Sequence, residues 1–222
     1  MAPTDAAALP ASRGSYDPAQ TRQMLLESAL ALFGEKGFHA TSVQEIVKSA
    51  GLTKGAFYHH FASKEDVLRL IHDEFLEVQV ALVEEIVATH DSPLDQLREL
   101  VRISVLSTAR YQAQVAVFFQ ERRFLTGERG ADVKRRRDAV EETMEQIIRN
   151  GIETGDFDPS VDPRISIFGI VGMTAWVHQW YRPGGPLSAE TIADQLAAMV
   201  LDGVQPRETG NGAAPNGRPQ RG

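Results

Sequence analysis

The most constraining feature of this chain is the run SVQEIVKSAGLTKGAFYHHFASKE, which occupies residues 42–65. It predicts a short helix, a tight turn at Gly51, and a second short helix that begins after the hydroxyl residue Thr53. Ser42 followed three residues later by Glu45 is a capping-box pattern, typical of a helix start. Two short helices joined in this way form a helix-turn-helix at residues 42–61, and the second helix of such a motif enters the DNA major groove.

The overall charge of the 222-residue chain is −7, which taken alone argues against nucleic-acid binding, because phosphate contacts need Lys and Arg. The charge near the motif is different. Residues 19–65 contain five basic side chains against four acidic ones. A DNA contact in this chain would therefore depend on a few placed groups rather than on a basic domain.

Several other functions are disfavoured by composition. The chain has no Cys, which excludes disulfides, Cys-ligated zinc and a thiol nucleophile. His59 and His60 are neighbours and diverge by about 100° around a helix, so they cannot chelate one metal together. No nucleophile elbow, zinc-protease motif or phosphate-binding glycine loop is present. We expect no enzyme activity, no catalytic residue, no cofactor and no metal.

The N-terminus has no apolar segment of the kind found in signal peptides, and no run approaches the roughly 20 apolar residues of a membrane-spanning helix. We therefore expect a cytoplasmic, soluble protein without membrane contact. Residues 1–18 and 205–222 are rich in small, polar and Pro residues and predict disordered tails. A non-specific phosphate-touching arm is the alternative for the second tail.

Everything between the tails predicts helix, and no alternating strand pattern of any length appears. The fold class is all-α, with an N-terminal three-helix DNA-binding domain at residues 19–65 and a larger helical domain for effector binding and dimerisation at residues 66–204. Further helices are predicted over about 64–89, from Ser92 onward, over about 131–153, and over 163–182 and 188–204, with a loop from Gly151 to Pro163.

The second helix of the motif has a composition suited to DNA. Its small residues allow close approach to bases, its Lys and phenol reach phosphate, and hydroxyls at helix N-termini favour phosphate. A cap or a packing role is the ordinary alternative for each residue alone, but they occur together at fixed spacing. The candidate DNA contacts are Thr41, Ser42, Thr53, Lys54, Gly55, Ala56, Tyr58, His59 and Lys64.

The run GFHATSVQEIVKSAGLTKGAFYHHFASKEDVL resembles the N-terminal signature of the TetR family of transcriptional repressors, over about residues 20–80. The resemblance implies a three-helix DNA-binding domain, a helical ligand-binding and dimerisation domain, and a homodimer on a palindromic double-stranded operator. The DNA contacts of the family map onto Thr41, Thr53, Lys54, Gly55, Tyr58, His59 and Lys64. We expect a repressor that its ligand releases from DNA. The alternative is a helical module that has lost DNA binding and interacts only with proteins.

The remaining sequence indicates a hydrophobic effector. Apolar residues that could line a pocket are Phe118, Phe119, Met144, Phe168, Met173 and Trp176, although core or dimer packing is the alternative for each. The segment WYRPGGPLS resembles one in TetR repressors of fatty-acid and steroid-side-chain catabolism, which implies an acyl-CoA thioester as a candidate effector. The alternative is a multidrug or hydrophobic-compound sensor that controls an efflux or catabolic gene.

Two further features of this part of the chain bear on the effector site and the dimer interface. The basic run at residues 134–137 could bind CoA phosphates, but consecutive residues spread around a helix, which favours a solvated face. The last two helices carry apolar stripes that predict a four-helix dimer interface. Its candidate residues are Ile165, Gly169, Gly172, Ile192, Leu196, Met199 and Val200.

Overall fold

We analysed the protein as a computed structural model, which describes residues 17–206 apart from the side chain of residue 129. Within that part of the chain there are nine α-helices, one short 3-10 turn and no strand, so the all-α prediction is confirmed. The helices are α1 Pro18–Lys36, α2 Val43–Ser49, α3 Lys54–His60, α4 Lys64–Thr89, α5 Pro93–Arg110, α6 Gln112–Glu121, α7 Gly127–Thr154, α8 Pro163–Trp180 and α9 Ala189–Val204.

The predicted helix ends differ from these bounds by a few residues. The predicted tails lie mostly outside the described residues, and at the inner end of the first one Asp17 caps α1 through hydrogen bonds from the next two backbone N–H groups. Helix α7 begins earlier than predicted and runs through Gly151. It ends where Gly155 adopts a left-handed conformation, with φ of 84°, and so the loop begins there.

Contacts between residues divide the chain between Leu68 and Arg69, inside α4. The first unit contains α1 to α3 and the beginning of α4, and the second contains the rest. The predicted functional domains, residues 19–65 and 66–204, stay predictions.

In the first unit, α1, α2 and α3 pack against one another around a small aromatic core. Phe33 and Phe57 are fully buried, and the ring of Phe33 meets Phe38 edge-on at 5.2 Å between centroids. Gly51 follows α2 with φ of 68°, a conformation that side chains disfavour, and this lets the chain turn into α3. The unit therefore holds a seven-residue helix rigidly at its surface.

In the second unit, α5 is the central helix and packs against α6, α7, α8 and α9. Its residues Leu97, Leu100 and Val101 belong to one buried cluster with residues of α4, α7, α8 and α9. Gly151 in α7 leaves room for the buried ring of Phe157, since a Cβ there would lie 2.1 Å from that ring. This unit is a helical bundle with one large apolar cluster and smaller clusters beside it.

Candidate functional site

Helix α3 of the first unit is fixed by one cap and two aromatic residues. Thr53 adopts an extended conformation before the helix, and its hydroxyl accepts a hydrogen bond from the backbone N–H of Ala56 at 3.2 Å. Phe57 and Phe61 are buried beneath it, with ring centroids 5.5 Å apart. A helix of seven residues is not stable alone, so this cap and core determine where its outer face lies.

The outer face of α3 consists of Lys54, Gly55, Tyr58 and His59, which are all exposed. The Tyr58 side chain is 57% exposed although its ring touches the buried Phe57 edge-on. A phenol so exposed contributes little to the core and is available to a partner. Ala56 is half-buried between this face and the core.

An open groove lies beside this face, between the starts of α2, α3 and α4. Of the candidate DNA contacts, the structure brings Thr41, Ser42, Lys54, Tyr58 and Lys64 together along it. Thr53, Gly55, Ala56 and His59 do not line it. Sequence reasoning missed His39 and Gln44, which also line the groove and are exposed. The signal for Gln44 was its place in the first turn of α2, away from the buried Ile46.

Ser42 closes the capping box that the sequence predicts. Its hydroxyl accepts from the backbone N–H of Glu45 at 3.3 Å, and its own N–H donates to the Glu45 carboxylate at 2.9 Å. The same carboxylate pairs with Lys36 at the end of α1. Hydrogen bonds from Lys36 and then from Ser42 lower the pKa of Glu45 to about 2, well below its usual value. This acid stays ionised and ties α1 to α2.

Two predicted DNA contacts are engaged within the protein. Thr41 is only 1% exposed, and its hydroxyl donates to the carbonyl of Gly37 at 2.9 Å. The Lys64 ammonium donates to the carbonyls of Phe38 and Thr41, both at 2.9 Å, and lies over the Phe38 ring. Both residues therefore have a structural task in the turn before α2. Sequence spacing could not show this, because the partners of Lys64 lie more than 20 residues away.

The second unit contains a cavity of about 370 Å³. Four of the six predicted effector residues line it, namely Phe118, Phe119, Met144 and Phe168, whereas Met173 and Trp176 do not. Gly172, which was predicted for the dimer interface, also lines the cavity. Sequence reasoning missed the remaining lining residues, because they come from five α-helices and the short 3-10 turn, which are distant in sequence. The missed apolar ones are Phe75, Leu76, Val115, Val140, Val171 and Ala175, and the missed polar ones are Gln79, Ser104, Ser107, Thr108, Arg122, Arg137, Glu141 and Thr174.

The polar groups of this cavity include the Gln79 amide, several hydroxyls and charged side chains. The hydroxyls of Ser104 and Thr174 donate to carbonyls of their own helices, at 2.6 and 2.8 Å, so their lone pairs remain available as acceptors. Arg137 and Glu141 form a charged pair on α7, and the exposed Arg122 adds a second guanidinium. An apolar body with a few polar groups of this kind is typical of small-molecule sites.

The basic run at residues 134–137 separates into different environments. Lys134 and Arg135 are exposed and pair with acids of their own helix, which agrees with the solvated face favoured by the sequence. Arg136 donates to Asp73 on α4 at 3.0 Å. Arg137 lines the cavity, and so Arg136 and Arg137 both depart from the expectation of a solvated face.

An exposed apolar stripe follows α8. Ile165, Phe168 and Trp176 are 70%, 50% and 62% exposed, and a Cβ built on Gly169 or Gly172 would meet nothing within 4 Å. On α9, Met199 is 55% exposed. Among the other predicted interface residues, Leu196 and Val200 are partly buried against the core, and Ile192 is buried with Val105 and Val177. Ile192 thus belongs to the interior of the unit, because α9 turns that side towards α5.

Across residues 17–206, no cluster of three potential metal-binding His, Cys, Asp or Glu side chains is found. In the same part of the chain, no helix has both the length and the hydrophobicity needed to span a membrane.

Comparison with known proteins yields two family matches. A sequence profile described as "Bacterial regulatory proteins, tetR family" matches residues 25–71. A second, described as "Tetracyclin repressor-like, C-terminal domain", matches residues 90–204. The two matches together span nearly all of the described chain.

Individual relatives resemble the chain over most of its length. The HTH-type transcriptional repressor KstR2 of Mycolicibacterium smegmatis is 34% identical over 189 residues, which cover 84% of this chain and 92% of the relative. The structure of the ketosteroid transcriptional regulator KstR2 of Mycobacterium tuberculosis superposes with a TM-score of 0.79 at 34% identity, covering 84% of this chain and 95% of that one. The structure of AibR in complex with isovaleryl coenzyme A and operator DNA superposes with a TM-score of 0.73 at 30% identity, covering 81% and 97%.

Proposed function

The chain belongs to the TetR family of bacterial transcriptional regulators, and we propose that it acts as a ligand-released repressor. A homodimer holds two copies of α3 on a palindromic operator and leaves the DNA when an effector occupies the cavity. The observation that carries this proposal is the exposed outer face of α3, Lys54, Tyr58 and His59, above the buried Phe57.

On this face we assign direct DNA contacts to Lys54, Tyr58 and His59. Lys54 supplies the charge for a phosphate or a guanine, and Gly55 allows the helix to lie close to the bases. The exposed Ser42 and the N-terminus of α2 add phosphate contacts. Lys64 and Thr41 act indirectly, because their polar groups shape the turn before α2.

The DNA-binding proposal is tested by the double variant Lys54→Ala with Tyr58→Ala. Its affinity for DNA from upstream of its own gene, measured by fluorescence anisotropy at 150 mM salt, should fall by about 100-fold, since each charge-assisted contact contributes about 1.5–3 kcal/mol. Thermal stability should not change, because both side chains are exposed.

The matched control is Lys134→Ala, which removes an exposed positive charge from the second unit. If the control weakens DNA binding as much as the double variant does, the affinity comes from overall charge and the assignment to α3 is wrong. A double variant that retains full sequence-specific binding would contradict the proposal as well.

For the dimer, we propose that the exposed stripe of α8 and Met199 of α9 form the interface. Burial of Ile165, Phe168 and Trp176 would remove three large apolar side chains from water, and the two exposed glycines allow close helix approach. Gly169→Glu should yield monomers in sedimentation analysis, whereas Thr143→Glu, at an exposed position of α7, should not. Dimers that persist in Gly169→Glu would place the interface elsewhere.

The effector that we propose is hydrophobic, with an acyl-CoA thioester as the leading candidate. The cavity is at the small end of the range of about 300–1,000 Å³ for ligand sites, so it suits an acyl group while the CoA part lies outside. The complex of AibR with isovaleryl coenzyme A supports this chemistry for a similar protein. The exposed Arg122 is available for the anionic part.

A multidrug or general hydrophobic-compound sensor is the second candidate, favoured by the aromatic lining of Phe75, Phe118 and Phe119. Thermal shift against acyl-CoA thioesters, free acids and drug-like cations separates the two. Stabilisation by cations with none by thioesters would select the drug sensor.

We propose that the ion pairs between α7 and α4 couple the cavity to the DNA-binding unit. Arg137 faces the cavity, the adjacent Arg136 donates to Asp73 of α4, and α4 continues to Lys64 in the first unit. A ligand that shifts this part of α7 therefore acts on a helix that is covalently continuous with the DNA-binding unit. Asp73→Asn should reduce DNA release without changing ligand affinity, and equal loss of both would contradict the route.

A further inference from the structure

Arg137 is the member of the basic run whose side chain turns into the cavity. Its side chain is 25% exposed, against 66% and 70% for Lys134 and Arg135 on the same helix. The latter two pair with acids of α7 at the surface, and Arg136 pairs with α4. A guanidinium placed against an apolar cavity loses much of its hydration and needs acceptors there.

The acceptors that the protein offers to Arg137 are incomplete. One terminal nitrogen, Nη2, donates to Asp138 at 3.0 Å. Nε is buried and has no hydrogen bond to the protein, because the nearest carboxylate oxygen, that of Glu141 at 3.3 Å, lies outside hydrogen-bond geometry. Nε has no accessible surface either, so a ligand could reach only the terminal nitrogens. Of these, Nη1 makes no hydrogen bond within the described residues, which leaves Arg137 a donor where its side chain lines the cavity.

The hydrogen-bonding groups of the other lining residues determine which ligand atoms this donor can select. The hydroxyls of Ser104 and Thr174 already donate hydrogen bonds to helix carbonyls, so towards a ligand they can only accept. The aromatic residues of α4, α6 and α8 offer no hydrogen-bond donor. Gln79, Ser107 and Thr108 also line the cavity and can donate as neutral groups, and Arg122 is an exposed guanidinium. Arg137 is the less exposed of the two charged donors, and a charge-assisted hydrogen bond to a ligand oxygen is stronger than a neutral one.

We propose that Arg137 recognises the carbonyl-type oxygen of an acyl group, and that Glu141 holds the guanidinium in place beside it. The ligand class is a compact apolar chain that ends in a carboxylate or a thioester. This inference rests on the proposed effector function of the cavity and deepens it, because it names the atom that the cavity selects. A free acid and a CoA thioester share this chemistry, and the probes below distinguish them.

Two pairs of probes isolate that oxygen. Octanoyl-CoA and S-octyl-CoA differ in the thioester carbonyl alone, and octanoate and octan-1-ol differ in the carboxylate. By isothermal titration calorimetry, the wild-type protein should prefer the member with the carbonyl in at least one pair by about tenfold, the effect of one charge-assisted hydrogen bond. The pair that shows the preference identifies the source as thioester or free acid.

Arg137→Gln should abolish this preference and leave the affinity for S-octyl-CoA or octan-1-ol within about twofold. Arg137→Lys keeps the charge without the planar fork and should retain part of the preference. The matched control is Arg135→Gln, which removes an exposed charge two residues earlier on the same helix. It should behave like the wild type. Should Arg137→Gln fail to fold, Arg137→Lys carries the test, and a full preference in that variant would overturn the assignment.

The inference is overturned if Arg137→Gln keeps the preference, if it weakens both members of a pair equally, or if the wild type binds none of the four probes. Operator binding without ligand is measured on the same samples. A wild type that binds operator but no acyl probe removes the inference and leaves the regulator function standing. A wild type that shows the preference but binds no operator removes the proposed function and leaves the role of Arg137 intact.

Discussion

The two units of this protein use opposite ways to build a functional surface. In the first unit, the candidate DNA contacts lie within residues 41–64, on helices whose starts are capped by neighbouring side chains. In the second unit, the cavity is assembled from five α-helices and the 3-10 turn, between residues 75 and 175. Under the proposed function, reading DNA would thus depend on one short segment, whereas sensing a ligand would depend on the whole bundle.

This contrast has an energetic side. Helices α2 and α3 have seven residues each and depend on caps and on a few aromatic residues. Helices α4, α5, α7 and α8 have 18 to 28 residues and share one large apolar core. A single substitution should therefore disturb the position of a helix in the first unit more than in the second. In the second unit, many contacts of the shared core hold each helix in place.

The largest expected effects come from two matched phenylalanines, Phe57 in the first unit and Phe157 in the second, which are 0% and 1% exposed. Replacement by Ala should cost about 3–5 kcal/mol at either site. Phe57→Ala should abolish operator binding and leave ligand binding intact, as measured by anisotropy and calorimetry. Phe157→Ala should impair ligand binding more than operator binding. If both variants lose both activities together, the two units are one cooperative unit and the contrast fails.

A smaller effect is expected from filling the cavity. Ser107→Phe adds a ring at the α5 wall, and effector affinity should fall by at least about tenfold, while operator affinity without ligand stays unchanged. Ala139→Phe, at an exposed position of α7, is the control. An unchanged response to effector in Ser107→Phe would mean that the effector binds outside this cavity.

Gly55→Ala tests whether α3 approaches the DNA bases closely at this position. A Cβ at this position would meet only the Thr53 hydroxyl at 3.7 Å, so the free protein should gain about 0.5–1 kcal/mol from the better helix former. Operator affinity should nevertheless fall, because the methyl group occupies space that the bases need. Gly34→Ala in α1 should give the stability gain alone. Equal operator affinity in both variants would show that α3 does not approach the bases closely at Gly55.

The smallest effect concerns acid. The pKa of Glu45 is lowered to about 2 in the folded protein, so its contribution to stability is present at neutral pH and is lost as the pH falls from about 4.5 towards 2. In thermal unfolding, the deficit of Glu45→Gln should be clear at pH 7 and shrink towards pH 3. Asp95 in the second unit also has a lowered pKa, chiefly through the Ser92 hydroxyl, and Asp95→Asn should show the same trend. A deficit that does not depend on pH would contradict the ion-pair explanation.

The same contrast explains what the sequence could predict. Caps, turns and the outer face of α3 are local, and so Ser42, Thr53 and Tyr58 were found by spacing alone. The structural roles of Lys64 and Thr41 were not, because they depend on carbonyls that the fold brings close. In the second unit, apolar residues such as Phe118 were found by type, but the turn of Arg137 towards the cavity depends on its angle around α7.

We propose that ligand binding in the second unit controls the operator affinity of the first. The most direct test of this proposal is operator affinity of the wild-type protein at 150 mM salt, measured by anisotropy with and without saturating octanoyl-CoA or octanoate, whichever is bound. We expect operator affinity to decrease by about 5–150-fold, which corresponds to typical coupling free energies of about 1–3 kcal/mol. Operator affinity that stays the same while calorimetry shows the ligand bound would contradict the account.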